Sequence, residues 1–376
     1  MEETSPHYSG SPLWAAWAGV ANRPNPLRPG SGPPWRNRPY CRDLGRFLKF
    51  WRFPHRLAHL TIPLPSHDEV SAMTWTPLRC LRPRLCIGLD LAPQRLRLAL
   101  ARRRGRQREV LRLAQAALPD GLLQDGQITD LDAVVQACRP LLDPACPAQA
   151  ALVLGMPRTC LSVQRLVLPA GSSDWERLAQ VRAEMSAYGL APADHVMDYR
   201  VAPARAGQDV SLWAWAASSL AVEDRLALAA ALHRPLAALP PEDECLGDFL
   251  RPAASAAHDA LLHLDPDDSW LIYGDTPAQG LRWRPAVAGP TALLAELAPL
   301  LRPKPQRLLL DCHPAALPTH DALPMLRAAF ARYAGLRALP APLPADLILA
   351  PSARLPGANP VGSFHLAIAL AWRGLA

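Results

Sequence analysis

Three short stretches carry the side chains whose types and spacing could do chemistry, and each is an acidic residue where an apolar run ends. Cys86-Ile87-Gly88-Leu89 runs into Asp90, followed by Leu91 and Ala92; Ala260-Leu261-Leu262-His263-Leu264 runs into Asp265, with Asp267 and Asp268 close behind; Arg307-Leu308-Leu309-Leu310 runs into Asp311-Cys312-His313-Pro314. Carboxylates at such points could hold a divalent cation, and a turn with bare backbone there could take a polyanion on its N–H groups. The neighbours oppose the second use. Pro93 and Pro266 have no N–H to offer. Asp267 and Asp268 would face any phosphate with like charge, and two unit charges about 4 Å apart at an effective dielectric near 20 repel by about 4 kcal/mol. A divalent ion would offset part of that. Aspartate at a strand end is also ordinary turn chemistry, and His313 reads as a turn residue rather than a ligand. No phosphate loop, nucleophile elbow, H-E-x-x-H helix or dinucleotide fingerprint occurs. The sequence therefore nominates no catalytic residue and no metal ligand.

The elements that must position these stretches need a long chain. There are 376 residues, half of them hydrophobic, enough for two or more domains. The net charge of +7 is carried by arginine and permits a weak attraction to anionic lipid or nucleic acid. No basic run interleaves with aromatics, so nucleic acid is not an expected partner. Eight cysteines form no C-x-x-C pair and read as core thiols of a reducing compartment. No apolar run approaches the roughly 20 residues a membrane span needs, and no secretory signal opens the chain. The expected location is cytoplasmic, or peripheral on the cytoplasmic face of a membrane. Residues 1–72 crowd Pro, Gly, Arg and Trp and read as a disordered extension. Within them Leu44 to Leu60 could form a basic-aromatic helix on a membrane surface through Phe47, Phe50, Trp51 and Phe53, although Pro54 interrupts it. The plainer expectation is that Met73 is the true start.

From Leu85 the patterning is regular. Leu96, Leu98 and Leu100 alternate with Arg95, Arg97 and Ala99, which predicts a half-buried strand returning from the Asp90 turn. A third strand, Glu109 to Ala117, precedes Leu118-Pro119-Asp120-Gly121 and a helix capped by Thr129 or Asp130, with Leu131, Val134, Val135 and Cys138 on one face. Ala150 to Leu154 is a buried strand. Leu161 to Leu168, a helix through Trp175 to Tyr188 capped by Ser173 or Asp174, strands His195 to Val201 and Val210 to Trp215, and a helix Val222 to Leu232 follow. Trp213 and Trp215 share one strand face, either as core or as a partner groove. Glu242 to Leu250 is a returning helix, after which strands and helices alternate again, in the order of the first half.

These motifs resemble PilM, the actin-like protein of type IV pilus assembly. The opening Ile87-Gly88-Leu89-Asp90-Leu91-Ala92 is similar to that family's I-G-L-D-I-G hairpin, and Leu118-Pro119 through Gly126, Ile128 and Asp130 to its L-P-x-G-x-x-x-x-G-x-I-x-D turn. Glu184, Tyr188, Asp198 and Tyr199 match its inserted subdomain, and the closing Asn359-Pro360 to Gly374 its last helix. The resemblance covers residue 85 to the end. It implies an α/β, actin-like fold of two RNase H-like domains with an inserted small α+β subdomain of the PilM/FtsA type. The first domain would take residues 73–157 and 233–256, the insert 158–232, and the second domain 257–376 with a closing C-terminal helix.

The resemblance also implies a nucleotide site at three turns, here Asp90, Leu91 and Ala92; Asp265 and Asp267; Cys312 and His313. Glycines of the family pattern are replaced at all three. No cofactor is expected, with residual ATP and magnesium binding left open. The implied function is that of a cytoplasmic scaffold binding the tail of a PilN-like bitopic inner-membrane protein, in a groove between the first domain and the insert. It would be peripheral to the inner membrane through that partner. A working actin-like ATPase or sugar-kinase-like enzyme, and a module of type II secretion or DNA uptake, are the alternatives.

Overall fold

The computed structural model describes residues 84–142, 146–201, 209–250, 259–265, 269–273, 279–281, 290–301, 305–312, 322–353 and 364–375. The described residues open with β1 (Leu85–Ala92), β2 (Arg95–Arg104) and β3 (Gln107–Ala117), then the two-residue pair β4 (Leu123–Gln124) and β5 (Gln127–Ile128), α1 (Leu131–Leu142) and β6 (Ala151–Leu154). The insert is β7 (Leu161–Leu168), α2 (Asp174–Ala187), β8 (His195–Val201), β9 (Val210–Ser218) and α3 (Ser219–Ala231). After β10 (Leu236–Ala238) and α4 (Glu242–Leu250) come β11 (Asp259–Leu264), β12 (Ser269–Tyr273), β13 (Gln279–Leu281), α5 (Pro290–Leu297), β14 (Arg307–Cys312), α6 (Ala322–Ala329), β15 (Arg337–Pro340), β16 (Leu347–Leu349) and α7 (His365–Gly374).

The two large sheets repeat one plan. The first runs β10-β6-β1-β2-β3-β16, and the second, read from its far edge, β15-β14-β11-β12-β13. In each, a first strand pairs antiparallel with the hairpin strand after it and parallel with the strand reached by a crossover. Two such units, with a three-stranded sheet β7-β9-β8 backed by α2 inserted in the first, make the actin-like architecture of two RNase H-like domains. Local signals act as expected. Ser173 and Glu176 form a capping box on α2, and Asp130 accepts the Ala133 N–H at 3.1 Å to cap α1. The Tyr199 hydroxyl reaches Asp174 Oδ1 at 3.0 Å and ties the small sheet to the start of α2, whereas Tyr188 lies exposed at the end of that helix.

Two expectations need correcting. The strand β2 is buried on both faces rather than half-buried: Arg97 and Ala99 are as deeply covered as Leu96 and Leu98. The reason lies at the other end of the chain. The last residues do not stay with the second domain. β16 pairs parallel with β3 of the first sheet, and α7 lies between the sheets, packed on β1, β2, β6 and α4. Its core joins Cys86, Ala99 and Val153 of the first sheet to Leu261, Ile272 and Leu309 of the second through Leu366 to Ala371. A helix apolar on every side is one covered on every side.

Gly88 makes this possible. A Cβ there would meet the Ala367 carbonyl and lie 2.5 Å from the Ala371 N, both backbone atoms of α7. Gly374 meets the same sheet, where a Cβ would lie 2.7 Å from Cys86 Sγ. The small residues Ala367 and Ala371 stand on the helix side of the contact. A side chain at residue 88 must push α7 off β1, and overpacking of this kind costs about 1–3 kcal/mol, occasionally more. Gly88→Ala is expected to lower the urea midpoint by an amount equivalent to about 2 kcal/mol, and Gly88→Val by more; unchanged midpoints would contradict the packing described.

Candidate functional site

The ends of β1 and β11 carry the acids the sequence singles out, and the fold brings them together. The first hairpin closes on two residues, Pro93 and Gln94, because Ala92 pairs with Arg95. That register sets Asp90 directly opposite Arg97, on the sheet face that meets α7. Arg97 Nε lies 2.8 Å from Asp90 Oδ2, and its Nη2 lies 2.9 Å from Oδ2 of Asp265, the residue just after β11. Arg95 Nη2 holds the other oxygen of Asp265 at 2.8 Å. One guanidinium thus spans two carboxylates from different sheets, with only 3% of its side chain exposed. Beside it, Asp311 on β14 is clamped by two imidazoles. His263 Nδ1, from the neighbouring strand, sits 2.7 Å from one oxygen, and His365 Nδ1, the first residue of α7, 2.6 Å from the other.

The electrostatics follow from burial and neighbours. Burial pushes the Asp90 carboxyl above its ordinary value; Arg97 opposes that push and Asp265 adds to it. Burial disfavours the Arg97 cation, but Asp90 and Asp265 outweigh it and hold the guanidinium charged. Burial raises the Asp311 carboxyl, yet His365 and His263 together carry it well below the usual carboxylate range. Burial lowers the His263 imidazole, and Asp311 reverses the sign, so it titrates above its ordinary value. The Cys312 thiol, half-buried at the end of β14, is pushed far up by burial, with Asp311 adding.

Of the residues expected at a nucleotide site, Asp90 and Asp265 meet through Arg97; Leu91 and Ala92 complete β1 above them; Cys312 packs beside the second core. Asp267, Asp268 and His313 lie outside the described residues. A nucleotide and its magnesium need a cation position between the carboxylates and free N–H groups at the turns. Here a guanidinium holds the first. Of the two turn residues at the first hairpin, Pro93 has no N–H and Gln94 keeps one; after β11, the Asp265 N–H is already directed to Ser269 Oγ at 3.3 Å. Among the described residues no three His, Cys, Asp or Glu side chains are grouped to hold a metal ion. Among the described residues, Arg97 fills the space between Asp90 and Asp265 that a cation would otherwise take.

Sequence reasoning missed Arg95, Arg97, His263 and His365. Arg95 and Arg97 alternate with leucines and look like a solvated face. The signal that could have found Arg97 is the two-residue turn, whose register alone faces it with Asp90. For His365 it is a lone imidazole opening an otherwise apolar helix.

Comparison with known proteins agrees with the architecture. No protein-family model and no curated sequence matches the chain. Among solved structures, a chain of a PilM–PilN type IV pilus biogenesis complex superposes with a TM-score of 0.62 at 18% identity, over 78% of this chain and 100% of that one. The cytoplasmic domain of EpsL, an inner-membrane component of the type II secretion system of Vibrio cholerae, follows at 0.41 and 13% identity, over 77% and 95% of the two chains. A Bacteroides thetaiotaomicron protein of actin-like ATPase fold and unknown function scores 0.41 at 7% identity, over 76% and 96%. The class defined is the actin-like ATPase fold. The likeness to the pilus protein is one of fold.

Removing one partner of a buried ion pair leaves uncompensated charge and costs about 3–5 kcal/mol. Arg97→Met is expected to destabilise the protein by at least about 3 kcal/mol in urea unfolding, and adding Asp90→Asn and Asp265→Asn should recover most of the loss. No recovery would mean that Arg97 acts through packing alone. The histidine clamp predicts a pH dependence. With its folded value raised, His263 contributes stability that is fully present below its ordinary 6.5 and lost as pH rises through the higher folded value. Wild-type stability should fall on that side, and the fall should be shallower in His263→Gln; equal slopes would show that the imidazole is not the titrating group.

Proposed function

We propose that the chain is a PilM-like cytoplasmic scaffold of a type IV pilus assembly complex, one that has exchanged nucleotide for internal charge. The observation that carries this reading is the Arg97 bridge. It supplies, between Asp90 and Asp265, the positive charge that a cleft of this fold otherwise takes from bound magnesium, and it does so from the chain itself. A cleft bridged in this way has no use for ATP hydrolysis, and no catalytic set stands in its place among the described residues.

The likeness to a chain of a PilM–PilN complex supports the partner class: the short cytoplasmic tail of a PilN-like bitopic inner-membrane protein, which would keep the scaffold peripheral to that membrane. The tail would lie between the first sheet and the small sheet. Trp213 and Trp215 share the face of β9 turned away from the α2 core, the face on which Arg200 lies opposite Trp213. Trp215 is buried; Trp213 is half-buried, with the Arg165 guanidinium 5.9 Å over its ring. That junction is firm. Arg200 of β8 reaches Glu244 at 2.8 Å and Asp248 at 3.2 Å on α4, and Arg373 of α7 meets the same two acids.

The test uses the full chain and a synthetic peptide of the N-terminal tail encoded by the neighbouring gene for a one-span protein. Calorimetry should give a dissociation constant in the micromolar range, and Trp213→Ala should weaken it at least fivefold. A folded chain that leaves the tail unbound at such concentrations would overturn the reading.

A further inference from the structure

The pole of the first sheet away from the cleft carries a charge that nothing described above uses. From Arg95 at the cleft, β2 runs ten residues to Arg104, and at about 3.3 Å per residue its far end lies some 30 Å away. There the β2–β3 turn reads Arg102-Arg103-Arg104-Gly105-Arg106-Gln107-Arg108. Arg102 is paired with Glu109, and Arg108 with Asp346 while stacking 4.4 Å over the Trp372 ring. Arg103 folds back on the Gly105 and Leu375 carbonyls. Five arginines therefore face two carboxylates. Three have no carboxylate partner among the described residues: Arg103, and also Arg104 and Arg106, which are exposed on either side of Gly105, whose φ of +64° makes the turn. A Cβ at Gly105 would meet nothing within 4 Å among the described residues, so the turn itself is open.

We infer that this tip docks on an anionic phospholipid surface. Arg104 and Arg106 are both exposed and flank the Gly105 turn, which suits an extended anionic surface. Residues 95–117 contain no aromatic side chain on which a base could stack, which favours a membrane over single-stranded nucleic acid. The remaining arginines anchor the tip to β16 and to the end of α7, so it would dock as part of the rigid sheet. The inference takes from the proposed function only its place beside a membrane. Each arginine near such a surface is worth about fivefold in partitioning.

The experiment is co-sedimentation of the full chain, without partner peptide, with vesicles of phosphatidylcholine alone or with 30% phosphatidylglycerol. Binding should require the anionic lipid and fall as salt rises. Arg104→Gln with Arg106→Gln should lower the partition coefficient roughly 30-fold with an unchanged melting temperature; Arg139→Gln with Arg337→Gln, exposed arginines outside this turn, should change it less than twofold. Equal losses in both variants, no binding to either vesicle, or tip-dependent binding to duplex DNA in place of vesicles would each overturn the inference. A chain that captures the tail peptide but ignores vesicles sinks this inference alone; one that binds vesicles but no tail sinks the partner reading alone.

Discussion

The structure depends on a single guanidinium. Arg97 leaves β2 of the first sheet and satisfies an aspartate of its own sheet and one of the other. Buried charge is tolerated only when it is paired, and the desolvation of three ionised groups at once leaves little freedom in how the sheets approach. Arg95 adds a second cation to Asp265. The neighbouring Asp311 follows the same rule with histidines, one from a strand and one from α7. The two clusters are electrically coupled, since Arg97 feels Asp311 and Asp90 feels His263.

The wedge helix α7 turns this local constraint into a global one. Its first residue clamps Asp311, its middle residues fill the space between the sheets, and its last residues reach the acids of α4 through Arg373. It lies close to β1 because residue 88 has no side chain. The cleft, the sheet interface and the junction with the small sheet are thus held by one helix of ten residues. Displacing it would expose the apolar faces of both sheets and strand Asp311 without one of its partners.

Much of this was legible in the sequence. The hairpin at Asp90, the helix cap at Ser173, the strands β7 to β9 and the repeated order of strands and helices are all local patterns, and local patterns survive folding. What stayed hidden depends on long-range contact. Arg97 reads as solvent-facing because alternation cannot tell water from a helix arriving from residues 365–374. The short strands β10, β15 and β16 carry too few residues for a period to show, and β16 is defined only by its pairing with β3. The loss of glycine at the turns was visible; the cation that stands in the cleft was not, since its partner Asp265 is 168 residues further along the chain. An actin-like fold can therefore be read from order and spacing, while the state of its cleft has to be read from side-chain geometry.

In the proposed reading, charge from within the chain takes the place of a bound nucleotide between the two sheets. Isothermal titration calorimetry of the full chain with magnesium ATP tests it most directly. Losing one charge-assisted bond to phosphate costs roughly 1.5–3 kcal/mol, and two or three such losses shift a micromolar site to millimolar or weaker. The account predicts no saturable heat at millimolar magnesium ATP; a low-micromolar dissociation constant would contradict it.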